Sequence, residues 1–195
     1  MDAKTRQKII SESAKCLSIT VVSMLTLNFA VVIFAIFFNS FGDNAILLGT
    51  DLAMLISLVV IPSIMHAVFL GDSCSYHLNL KHLVEIGVLA ICFVGLCRFY
   101  PSFYVLHFLV ISFSEELFSR GIQFRYLFQR VGKVGAILIT SILFAFVLHL
   151  NEGILENLFV RLPLGLVLCF VRVKFGLAKS ILLHWLYNLV VVFTL

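Results

Sequence analysis

The sequence predicts an all-α fold, a polytopic bundle of transmembrane helices, and three observations carry that prediction. Hydrophobic residues make up 62% of the 195 positions, 20 of them Phe, and charged residues only 12%; the mean hydropathy is +1.12. Such a composition lies outside the range of soluble domains. Apolar runs near membrane-spanning length recur along the chain, and the basic residues gather between those runs, as membrane topology requires. The net charge of +4 is therefore no sign of nucleic-acid binding. The length suits one membrane domain over 1–195.

Met1 to Lys15 is polar and precedes an uncharged run from Cys16 to Phe38. That run exceeds the ~7–15 apolar residues of a cleaved signal and lacks a small-residue cleavage site, so it reads as a retained first span. A Gly- and Asn-bearing loop from Asn39 to Gly49 leads into a second span, Thr50 to Leu70, where Pro62 is expected to kink the helix. Asp51, near one end of it, is expected to reach the headgroup region, and His66 to make a buried hydrogen bond. Gly71 to His82 reads as a solvated loop, because His77 and His82 lack the i, i+4 spacing of a helical metal pair.

A short third span, Leu83 to Cys97, carries Glu85 and stops at Arg98-Phe99-Tyr100-Pro101. The fourth helix starts near Ser102, contains Glu115 and Glu116, and is expected to continue as an interfacial amphipathic tail through Arg125 and Arg130. Gly132 and Gly135 bracket a turn. Val134 to Leu150, Asn157 to Val171 and Phe175 to Leu195 follow, which brings the expected count to about seven spans, within a range of six to eight. Lys4, Arg6, Lys8, Lys15, Lys81, Arg125, Arg130, Lys133, Arg172, Lys174 and Lys179 then share one side, with Arg98 opposite. The positive-inside rule makes the cation-rich side, with the amino terminus, cytoplasmic. Cys16, Cys74, Cys92, Cys97 and Cys169 form no CxxC or metal-ligand spacing and read as small apolar side chains rather than disulfide partners.

Ionisable residues inside membrane segments are rare and pair with one another or line cavities, which makes them functional-site candidates. In Ser114-Glu115-Glu116-Leu117-Phe118-Ser119-Arg120, Glu116 and Arg120 are four apart and share a helix face, while Glu115 points roughly 100° away. Arg120 is thus expected to tie Glu116 as a structural pair and leave Glu115 free for general-base work on water. A purely structural Glu–Arg pair satisfies the same spacing. In the last span His184 and Asn188 are likewise four apart and face one way, offering donors to a developing oxyanion. His149, closing the fifth span, is placed to orient a water or share its proton.

Glu115-Glu116-x-x-x-Arg120, then a Phe-rich span from Phe144 to His149, then His184-x-x-x-Asn188 resembles the pattern of the CPBP family. These are intramembrane glutamic proteases related to the enzymes that trim prenylated CAAX proteins and to bacteriocin-processing and self-immunity proteins. The approach from Pro163 and Gly165 through Ser180 to His184 is similar too, and the resemblance covers 109–191, leaving 1–100 unspecific. One departure is that the family places a Phe four residues before the middle His, where this chain has Ala145 between Phe144 and Phe146.

The resemblance implies that Glu115, with His149, activates water for attack on a peptide carbonyl. It also implies that His184 and Asn188 stabilise the oxyanion, and that Glu116 and Arg120 orient the site. The substrate would be a membrane-associated, prenylated or leader peptide, and the setting the cell membrane of a prokaryote. No cofactor is expected: there is no HExxH, and two adjacent Glu cannot easily face one ion. A non-catalytic immunity or peptide-binding protein of the same fold is the alternative. A proton or ion carrier using Asp51, Glu85 and the Glu pair leaves His184 and Asn188 unexplained.

Overall fold

The computed structural model describes residues 3–71 and 80–194; Cys74 and His77 lie outside the described residues. All the regular structure among them is helical. The helices are α1 Ala3–Phe38, α2 Asp43–Leu70, α3 Leu80–Leu96, α4 (102–131) and α5 (133–148), α6 Ile154–Phe175 and α7 Leu177–Thr194. By length and apolarity five helical segments can cross a membrane, with Ser102–Leu148 counted as one 47-residue segment. That segment is two helices, because Gly132 (φ 80°, ψ 175°) interrupts it with a backbone shape that L side chains rarely adopt. The third expected span, α3, has 17 residues. The chain is an integral membrane protein.

Two prolines, Pro62, which the sequence marks as a kink, and Pro163, sit just beyond π-helical turns. Ile56–Val60 precedes Pro62, and Asn157–Arg161 precedes Pro163. A proline ring clashes with the carbonyl four residues back and cannot donate to it; an inserted π turn widens the helix there without ending it. α1 starts at Ala3, so the polar segment before Cys16 is helical as well. The tail of α4 packs on α1 instead of lying free at an interface. The Tyr126 hydroxyl donates to Glu12, Arg130 stands 3.5 Å from Glu12, and Gln123 donates to Thr20 at 2.7 Å.

Gly132 also sets depth. Glu115 and His149 each lie 17 residues from it along antiparallel arms, so at ~1.5 Å rise per residue they come level. The 30 residues of α4 cover about 45 Å against a hydrocarbon core of about 30 Å. The 16 residues of α5 cover only about 24 Å. His149 is therefore found at the depth of Glu115 and not at the far boundary of a full span, which is where the spacing of apolar runs alone would put it.

Asp51 is buried between helices. It is 5% exposed and its Oδ1 is 2.7 Å from Nδ1 of His107, itself 8% exposed, across the α2–α4 contact. Burial demands a partner, and the imidazole two turns above Glu115 supplies it. Asp51→Ala should lower stability by about 1–3 kcal/mol, since the imidazole is left unpaired. The pair Asp51→Leu/His107→Phe should recover most of it, as followed by thermal unfolding in detergent. His66 is fully buried, with its ring edge-to-face on Tyr126 at 5.2 Å. Cys16, Cys92, Cys97 and Cys169 are free thiols.

Candidate active site

Where α4, α5, α6 and α7 meet, two carboxylates, two imidazoles and a guanidinium come together. Glu115 is 6% exposed, and its Oε2 is 3.7 Å from Nε2 of His149 and also 3.7 Å from Nε2 of His184. Glu116 and Arg120 are fully buried and joined at 2.9 Å between Oε1 and a guanidinium nitrogen. Glu116 Oε1 is also 3.1 Å from Nδ1 of His184, and Oε2 accepts from the Ser180 hydroxyl at 2.5 Å. Glu116 is tied by three groups, while Glu115 faces both histidines at a distance longer than a direct hydrogen bond.

Arg120 does more than pair. Its second terminal nitrogen donates to the Gly165 carbonyl at 3.3 Å, and its planar group lies 4.2 Å from the centroid of Phe144. Gly165 is what the arrangement requires at that position. A Cβ there would stand 3.3 Å from Phe144 Cδ1 and 3.4 Å from the guanidinium, tighter than ordinary contact. The carbonyl of Arg120 accepts from Arg172 at 3.3 Å. A π-helical stretch, Leu117–Gln123, carries this arginine directly after the two glutamates.

The Ala145 departure has a structural explanation. Phe144–Leu148 is a π-helical turn, in which the residue beneath a given position is five back rather than four. Phe144 therefore takes the place a Phe at 145 would hold in an α-helix. Its ring is edge-on to His149 at 4.8 Å and to His184 at 5.8 Å. The carbonyl of His149 accepts from Asn157 Nδ2 at 2.8 Å, which fixes the end of α5 to the start of α6.

Asn188 faces α4, as its spacing from His184 predicts, but its hydrogen bond is to Ser112 Oγ at 3.0 Å. Ser112 is one turn from Glu116, so Asn188 stands one turn, about 5 Å, along the axis from His184. Ser112 and Asn157 are site residues that the sequence reading does not mark, and Phe144, Gly165 and Ser180 enter it only through the family resemblance, with no site role of their own. The signal for two of them, Ser112 and Ser180, was present. Ser112, Glu116 and Arg120 repeat at four-residue spacing on α4, as Ser180, His184 and Asn188 do on α7. The two polar rows pair antiparallel, 112 with 188 and 116 with both 184 and 180.

A buried carboxylate–imidazole centre walled by transmembrane helices defines a class, a membrane-embedded protein with an acid–base site. The comparisons narrow it. Residues 97–190 match the family model described as Rce1-like, type II CAAX prenyl endopeptidase. That match supports the CAAX protease family of intramembrane endopeptidases, and all of Glu115, Glu116, Arg120, His149, His184 and Asn188 fall inside it. No curated protein and no solved structure matches the chain.

Proposed function

We propose that this protein is an intramembrane endopeptidase that hydrolyses a peptide bond in a membrane-associated, prenylated or leader-peptide substrate, with Glu115 as the general base. The observation that carries the reading is the convergence of His149 Nε2 and His184 Nε2 on the same oxygen of Glu115, 3.7 Å from each. The attacking water is placed against that oxygen, on the side that the two imidazoles face. Glu115 takes one proton from the water as its oxygen bonds to the carbonyl carbon, and the carbonyl electron pair moves to oxygen. When that tetrahedral species collapses, the C–N bond breaks and Glu115 returns the proton to the leaving amine.

Glu116 orients the second imidazole. Ionised beside Arg120, it only accepts, so Nδ1 of His184 carries the proton that it receives at 3.1 Å. Nε2 then faces the reaction and, while it holds the proton that Glu115 has taken from the water, donates to the oxyanion together with Asn188 as that side chain turns from Ser112; the proton passes back to Glu115 for the leaving amine. The chemistry needs no metal. About seven spans, an amino terminus in the cytoplasm and the cell membrane of a prokaryote complete the reading, and the one-sided cations support the orientation.

The test is cleavage of a panel of membrane-embedded and prenylated peptides by the purified protein in liposomes, with and without a chelator. Chelator-insensitive cleavage is expected. Cleavage abolished by the chelator would move the reading to a metalloprotease. No cleavage across the panel, with Glu115→Ala keeping the cellular phenotype, would favour a peptide-binding or immunity protein.

A further inference from the structure

Ser180 is fully buried on α7, one turn before His184, and its hydroxyl stands between two acceptors on two other helices. Glu116 Oε2 on α4 is 2.5 Å away and the Leu168 carbonyl on α6 is 3.1 Å away. A hydroxyl has one proton and cannot donate to both. The charge-assisted bond to an ionised carboxylate is the stronger of the two, so the proton goes to Glu116 and the carbonyl holds the oxygen's position only when that carboxylate is neutral. Glu116 has two oxygens and three partners. Arg120 and His184 both use Oε1, and the Ser180 bond is what occupies Oε2.

We propose that Ser180 is a positioning residue for the imidazole. By holding Oε2 of Glu116 it stops the carboxylate from turning to present both oxygens to Arg120. It keeps Oε1 on Nδ1 of His184, and so keeps Nε2 directed at Glu115. Ser180 touches neither Glu115 nor the space between the histidines; it acts through Glu116 alone. The inference rests on the reading of Glu115, His149 and His184 as the hydrolytic centre.

Two measurements test it, one of which needs no turnover. In kinetics, Ser180→Ala is expected to lower kcat about 10- to 100-fold with KM unchanged, alongside the fall in thermal stability that losing one buried hydrogen bond to a charged group brings. Ser180→Thr, which keeps the hydroxyl, is expected to restore most of the rate. In nitrogen-15 NMR of histidine-labelled protein, the His184 resonances, assigned with His184→Gln, are expected to report one tautomer protonated at Nδ1 in wild type and a mixture in Ser180→Ala. Wild-type kcat and an unchanged His184 spectrum in Ser180→Ala would overturn the proposal. Equal loss of rate in Ala and Thr variants would also overturn it, making Ser180 a packing residue. If the wild type cuts no substrate, the hydrolytic reading fails by itself, and the NMR comparison alone decides whether Ser180 sets the tautomer.

Discussion

Glu115→Gln should leave a folded protein with cleavage reduced by about a thousandfold, within the ~10²–10⁴ range that a positioned general base contributes. The substitution keeps the volume and polarity of the side chain and removes only its ability to take a proton. The two imidazoles at 3.7 Å from Oε2 remain in place, so whatever rate survives measures the contribution of positioning and oxyanion stabilisation. Because Glu115 makes no short ion pair of the kind that Glu116 makes with Arg120, its neutral replacement should cost the fold little. The loss should fall on kcat, with KM near wild type, as follows when an interaction made only in the transition state is removed. A Glu115→Gln variant retaining a tenth or more of wild-type kcat would remove Glu115 from the mechanism.

Arg120→Met should be the most destabilising single change in the molecule. The guanidinium meets three buried partners: Glu116 at 2.9 Å, the Gly165 carbonyl at 3.3 Å and the face of Phe144. Removing it leaves an uncompensated carboxylate in the interior, at a cost of about 3–5 kcal/mol, a large part of the stability of an ordinary domain. Arg120→Lys should rescue little. An ammonium reaches Glu116 as a point charge but cannot also lie flat on Phe144 and fork to Gly165. The double variant Arg120→Met/Glu116→Leu removes both charges and should regain much of the thermal stability, yet stay inactive because His184 loses the group that orients it. Thermal unfolding in detergent, measured beside cleavage, checks this. A double variant no more stable than Arg120→Met alone would contradict the pairing.

How much of this was legible follows from which signals are local. Composition and apolar runs predict a helical membrane bundle because a bilayer leaves few other solutions. The four-residue spacing of Glu116 with Arg120 and of His184 with Asn188 places each pair on one face through helix geometry alone. What the sequence could not convey is which helix each face meets. Asp51 reads as an end-of-span acid, and only the α2–α4 contact reveals His107 as its partner. The turn at Gly132 is legible, but the depth of His149 follows only from Glu115 and His149 lying equally far from that turn on the two arms. π-helical turns shift register by one residue, and so Phe144, rather than residue 145, lies against His149. Ser112 and Ser180 were in view as members of evenly spaced polar rows, but serine is common in membrane helices as a back-bonding residue. Its partners on another helix are what distinguish it.

The central claim is that a water activated at Glu115 cuts a peptide bond directly, and a single turnover in oxygen-18 water tests it most closely. With enzyme in excess over a cleavable peptide, the account predicts one oxygen-18 atom in the new carboxylate of the product and none in the protein. Label in the Glu115 carboxyl, with unlabelled product, would show that Glu115 attacks the carbonyl itself, and would contradict the account.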